Sequence, residues 1–155
     1  MFQRVYDVLV GTHAPASVRQ FADWADCSEN GAPQALSQLA EMGIADRSDA
    51  GPATYRRNPP YFRGKWVEQL AHEHTPAELR TRVDELIDED RGFQERYGVP
   101  GPDAVIESET PDTDSESVHE RWDELAEWRT VRRDISVLER AVRRAESMRD
   151  DRARA

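Results

Sequence analysis

Residues 47–65 gather Arg47, Arg56, Arg57, Arg63 and Lys65 against Asp49 alone, a local net charge of +4 in a chain whose total is −10. Such a cluster can neutralise phosphates and release their counterions. Just upstream, the stretch from Glu29 to Gln38 carries amides and a hydroxyl but no cation. Asn30, Gln34, Ser37 and Gln38 have the donors and acceptors that pair with base edges in a duplex groove. Together the two groups lead to one expectation. Arg47, Arg56 and Arg57 hold a nucleic-acid backbone, and the four polar residues read few bases directly.

Other chemistry finds less footing. There is no G-x-S-x-G, phosphate loop or H-E-x-x-H, so neither an enzyme nor a cofactor is expected. His72 and His74, two apart, point about 200° apart on a helix. Glu68 does share a face with His72, but two groups make no metal site, and none is expected. Cys27, the single cysteine, excludes a disulfide within one chain and reads as a core residue. Trp24, Trp66, Trp122 and Trp128 read as core or interface anchors.

The 155 residues hold 31 acids against 21 cations, and Lys65 is the only lysine. An acid-rich chain with almost no lysine suits a cytoplasm full of salt, where repulsion between carboxylates is screened within about 3 Å at 1 M. The acid is also unevenly placed. Residues 1–75 carry −2, residues 76–117 carry −9 and residues 118–155 carry +1. The overall charge therefore leaves a basic edge free to meet an anionic partner. No apolar run approaches the roughly 20 residues that span a bilayer, and the first residues lack the apolar block of a signal peptide. A cytoplasmic protein without membrane contact is expected.

The elements that must position these residues follow from periodicity. Phe2, Val5, Tyr6, Leu9 and Val10 mark a first amphipathic helix ended by Gly11. Ser17 and Gln20 have the spacing of a capping box and open a second, with Val18, Phe21, Ala22 and Ala25 inward. Asp26, Cys27 and Ser28 form a tight turn. A third helix starts near Gly31 with Asn30 as N-cap, which places Pro33 at its third position, where the missing N–H costs nothing. Ala32, Leu36, Leu39 and Met42 face inward there, and Gly43 closes it. Residues 44–48 and 53–57 read as two strands around the turn Asp49-Ala50-Gly51-Pro52. A helix from Tyr61 to about His74 follows. Thr75-Pro76-Ala77-Glu78 starts another, lined by Leu79, Val83, Leu86, Phe93 and Tyr97 with Asp90 in the remaining slot of the stripe.

The last helix, with Thr113 and Glu116 as candidate caps, repeats Trp128, Val131, Ile135, Leu138, Val142 and Ala145 at steps of 3 and 4, a heptad seam. Trp128, Val131, Ile135, Leu138 and Val142 are expected to form a dimer interface, although the same periodicity serves packing inside one chain. Its arginines, from Arg129 to Arg144, are interleaved with acids and read as ion-pair partners rather than a second nucleic-acid surface. The expected fold is mainly α with a small β-hairpin wing: a winged helix–turn–helix followed by long, coiled-coil-like helices. The divisions are 1–60 for the winged domain, 61–99 for a helical region, 100–117 for an acidic linker and 118–150 for the C-terminal helix.

The segment from Val18 to Ser28, followed by Leu36 through Gly43 and Ile44, resembles the winged helix of ArsR- and TrmB-like archaeal regulators. Outside the acidic insert, the chain resembles a group of small haloarchaeal winged-helix proteins. The likeness rests on Phe2-Gln-Arg-Val-Tyr6, on His13-Ala-Pro15, on Tyr55-Arg56-Arg57 and on Glu127-Trp128-Arg129-Thr130-Val131-Arg132-Arg133. It implies a transcription regulator that binds double-stranded DNA as a homodimer. Those proteins carry Thr, Arg or Lys on the DNA-facing side of the third helix, whereas this chain has no cation there. A winged helix used only for protein contacts is the alternative.

Overall fold

Helix α1 (Phe2–Val10) buries Val5 and Leu9. The chain then forms strand β1 (Ala16–Ser17), helix α2 (Val18–Trp24) and helix α3 (Gly31–Glu41). Two more strands, β2 (Ala45–Ser48) and β3 (Thr54–Arg57), precede helix α4 (Pro59–Glu73). Helix α5 (Pro76–Tyr97), a 3-10 turn at Pro102–Ala104 and helix α6 (Ser115–Arg154) complete the chain. This computed structural model describes residues 1–105 and 115–155. The candidate cap Thr113 and half of the expected acidic linker lie outside the described residues. Two compact units emerge, Met1–Lys65 and Trp66–Ala155, and the division falls within α4.

The first unit is mainly α with a small antiparallel sheet, in the order of a winged helix–turn–helix. Its core joins Val5, Leu9, Phe21, Leu36, Leu39 and Ile44, and Tyr55 of β3 closes it from the sheet side. The Ser17–Gln20 capping box is complete: Gln20 N–H donates to Ser17 Oγ at 3.2 Å and Ser17 N–H to Gln20 Oε1 at 2.9 Å. Asp26 takes the left-handed conformation, φ 49°, which lets α2 turn into α3 within a few residues. Cys27 packs against the core. Asn30 occupies the N-cap of α3 but makes no side-chain cap bond. Ser28 Oγ does that instead, accepting from Gly31 N–H at 3.1 Å.

Two expectations are corrected in this unit. The sheet has three strands, with order β1-β3-β2. Ala16 and Ser17 pair with Tyr55 and Thr54 and so occupy the edge of β3 that a two-stranded hairpin would leave open. Met42 is 61% exposed rather than inward. At about 100° per residue it lies well off the centre of the Ala32–Leu36–Leu39 face, and Ala35 takes the fourth buried position.

In the second unit, the Thr75 hydroxyl caps α5 by accepting from Glu78 N–H at 3.2 Å. Gly98, at φ 63°, ends that helix in the left-handed conformation that glycine adopts without a Cβ penalty. Leu79, Val83 and Leu86 of α5 and Val67 and Ala71 of α4 pack on Val131, Val137, Leu138, Ala141 and Ala145 of α6. The α6 seam thus packs inside its own chain, which corrects the expected interface. Trp128, Val131 and Leu138 are 6% exposed or less and have no surface left for a second chain, while Ile135 and Val142 are partly buried at the edge of this core. The physical reason is that α6 meets residues of two helices. Its buried arc is therefore broader than a heptad seam and takes in Val137 and Ala141 as well.

Asp90 fills its slot in the α5 stripe by binding α6. Trp128, fully buried, donates its indole N–H to Asp90 Oδ1 at 2.7 Å, and Arg132 Nε donates to the same oxygen at 2.9 Å. The Trp128 ring stacks with Phe93 and with Tyr97, at 5.6 and 5.8 Å between centroids. Arg132 also reaches the Pro100 carbonyl. Gly101 gives that approach room, since a Cβ there would stand 2.8 Å from the guanidinium and push it aside. Asp90→Ala leaves a buried indole N–H and a guanidinium without their acceptor, so it is expected to lower unfolding stability by about 1–3 kcal/mol in urea denaturation.

Tyr97 donates its hydroxyl to Glu124. Burial, and then the Glu124 carboxylate, push its phenol up to about 12. A phenol whose folded pKa exceeds its unfolded value of about 10 stabilises the fold fully below pH 10. That contribution is lost as pH rises through about 12. Alkaline denaturation of Tyr97→Phe should therefore lack the part of the pH dependence that the wild type shows in that window.

Candidate nucleic-acid interface

Helix α3 presents one polar face. Gln34, Ser37, Gln38 and Glu41 are exposed and recur at i, i+3, i+4 and i+7, opposite the buried Ala32, Leu36 and Leu39. Asn30 is exposed at the N-terminal end of the same helix. The four candidate base readers thus share the solvent side of one helix. That face offers amides, a hydroxyl and one carboxylate, and no cation.

The wing cations are in a different condition from the one expected. Arg56 Nε donates to Asp46 at 3.1 Å across the β2–β3 ladder, where Asp46 and Arg56 are register partners. Arg47 Nε donates to Asp49 at 2.9 Å. That hydrogen bond is the main cause raising the already high pKa of Arg47. The Arg47 guanidinium also sits 5.7 Å from the centre of the Tyr55 ring. Two of the three predicted phosphate contacts are thus paired with carboxylates of the wing itself. Both guanidiniums stay over 40% exposed, and exposed pairs of this kind exchange readily for other anions.

Arg57 has a structural engagement of its own. Its guanidinium donates to the Val10 carbonyl at the C-terminal end of α1, at 2.8 Å, and lies 4.2 Å from the centre of the Phe62 ring. Its backbone N–H donates to the Thr12 carbonyl at 2.9 Å. A cation fits the negative end of a helix dipole and the face of an aromatic ring. Arg57 thus fastens β3 to α1 and the start of α4.

Arg4 and Arg19 of this unit escaped the sequence reading, whereas Arg63 and Lys65 belong to the basic stretch it picked out. Arg4, Arg19 and Arg63 are exposed and, among the described residues, join no ion pair. Arg19 lies in the first turn of α2, and no charge cluster in the sequence marks it. Lys65 donates to the Tyr6 hydroxyl at 3.0 Å, which raises its pKa. The Arg56–Asp46 pair was legible in principle, because the turn at residues 49–52 places those two side chains across the ladder.

The family model described as "Family of unknown function (DUF7342)" matches residues 1–146. The chain belongs to DUF7342. No curated protein and no solved structure matches it. The DUF7342 match takes in the whole winged-helix unit and most of α6. Among the described residues of this family member, no helix is long and apolar enough to cross a membrane, and no three His, Cys, Asp or Glu side chains come together to hold a metal ion.

The two wing arginines should separate in a stability measurement. Arg57→Ala removes a hydrogen bond to a helix end and a stacked guanidinium, and is expected to cost about 1–3 kcal/mol. Arg56→Ala breaks an exposed pair and should cost less than about 1 kcal/mol. Urea midpoints of the two variants check this directly.

Proposed function

We propose that the chain is a DNA-binding transcription regulator that grips duplex DNA with its winged-helix unit. The observation that carries this reading is the exposed polar face of α3, with Asn30, Gln34, Ser37 and Gln38 on a helix held by a second helix and a three-stranded wing. In this reading α3 lies in the major groove and its amides meet base edges. Arg47 and Arg56 turn from their carboxylates to the adjacent phosphates, and Arg19 and Arg63 add backbone contacts. Base reading is sparse, because α3 offers no guanidinium or ammonium for guanine.

The regulator acts as a homodimer in the cytoplasm of a salt-rich cell. Its contact involves side chains that the α6 core leaves at the surface, such as Trp122, 62% exposed, and the edge residues Ile135 and Val142. Two-fold symmetry then presents two copies of α3 to paired half-sites.

Two observations favour a second reading. Arg47 and Arg56 each already hold an aspartate, and Trp24 and Met42 of the same unit are 53% and 61% exposed. These features suit a winged helix that contacts another protein instead of DNA.

Duplex binding across a salt series up to molar KCl separates the two. Under the DNA reading, Arg47→Ala/Arg56→Ala weakens binding and lowers the slope of log K against log salt by up to about 0.9 per lost phosphate contact. Asp46→Asn/Asp49→Asn frees both guanidiniums and should strengthen binding. Absence of duplex binding at every salt concentration would leave the protein-contact reading in its place.

A further inference from the structure

A cleft of about 330 Å³ opens where α4 gives way to α5, against the last turns of α6. It lies wholly within the second unit. Its floor is apolar: Ala71, Pro76 and Ala145 are buried, and Met148 is partly buried beside them. Its rim carries two guanidiniums, Arg149 and Arg152 of α6, and two imidazoles, His72 and His74 of the α4–α5 junction. The positive end of the 22-residue helix α5 also faces this space through Thr75 and Pro76.

The two arginines hold no carboxylate, a state they share among the described residues with Arg140, Arg143 and Arg154 of the same helix. Acids outnumber cations in this chain by 31 to 21, and several α6 arginines already hold a carboxylate: Arg129 with Asp103, Arg132 with Asp90, Arg144 with Glu68. Among the described residues, Arg149 and Arg152 join no ion pair. Asp150 and Asp151 stand between them in the sequence but do not line the cleft. Glu68 lies 3.8 Å from His72 and Glu78 3.3 Å from His74, which leaves Glu73 as the one carboxylate of the lining. The family match ends at residue 146, so the arginines of this cleft lie beyond it.

We propose that the cleft binds a small organic anion, a carboxylate carrying a short apolar body. The volume sits at the lower end of the range of small-molecule pockets, about 300–1,000 Å³, and exceeds what an inorganic ion fills. Guanidinium matches a carboxylate through two parallel hydrogen bonds. Met148 and the alanines offer the apolar body a surface that adapts to its shape. This inference does not rest on DNA binding.

The test titrates the full chain with hexanoate, 1-hexanol and inorganic phosphate at constant ionic strength. Calorimetry follows affinity, and NMR follows the methyl groups of Ala71 and Ala145 and the amide of His72. Hexanoate is expected to bind and shift these signals, with 1-hexanol and phosphate each at least about tenfold weaker. Arg149→Gln/Arg152→Gln should weaken hexanoate by a similar factor while circular dichroism stays unchanged. A second variant, Met148→Glu, should abolish binding by placing a carboxylate in the floor. The proposal is overturned if hexanoate fails to bind, if it binds the double variant as well as the wild type, if hexanol or phosphate binds equally well, or if the shifts map elsewhere.

Discussion

One carboxylate sets the register of the longest packed surface in this protein. Asp90 accepts from the Trp128 indole at 2.7 Å and from Arg132 at 2.9 Å, and this ties a point near the C-terminal end of α5 to the first half of α6. The indole is large and fully buried, and its N–H needs an acceptor once water is excluded. If α6 slid by one turn, that acceptor would be lost, together with the stacking on Phe93 and Tyr97. The aliphatic contacts of Leu79, Val83 and Leu86 tolerate sliding better, because apolar packing is not directional. Position along the axis is therefore a polar decision, and adhesion between the helices is an apolar one.

The wing shows the same division of labour at smaller scale. Tyr55 anchors β3 to the core, while Arg57 fastens the strand to the end of α1 through the Val10 carbonyl. The remaining wing arginines rest on aspartates one strand or one turn away. In concentrated salt such an arrangement would have a physical sense. A bare basic cluster would gather counterions from solution, whereas internal carboxylates neutralise it and still exchange for phosphates, because the pairs are exposed.

How much of this was visible in the residues depends on the range of the interaction concerned. The Ser17–Gln20 capping box, the Thr75 cap, the closing roles of Gly43 and Gly98 and the apolar faces of α1, α2 and α5 follow from neighbours within about one turn of helix. Strand β1 could not be read that way. Ala16 and Ser17 are too few to show alternation, and they become a strand because β3 has an open edge beside them. The polar face of α3 was legible from spacing. The state of its companions on the wing was not, since charge counting over residues 47–65 omitted Asp46, which lies outside that window and opposite Arg56.

The seam on α6 marks the boundary most sharply. Steps of 3 and 4 from Trp128 to Ala145 dictate that one side of this helix avoids water, and any partner satisfies that demand equally. The partner proved to be the chain's own α4 and α5, and this widened the buried arc to Val137 and Ala141 and left Ile135 and Val142 at its edge. Element type, caps and buried faces are local properties, and the order of residues carries them. The choice of partner, the third strand and the anchoring of Arg57 are contacts between segments far apart in the chain, so they arise only when folding brings those segments together.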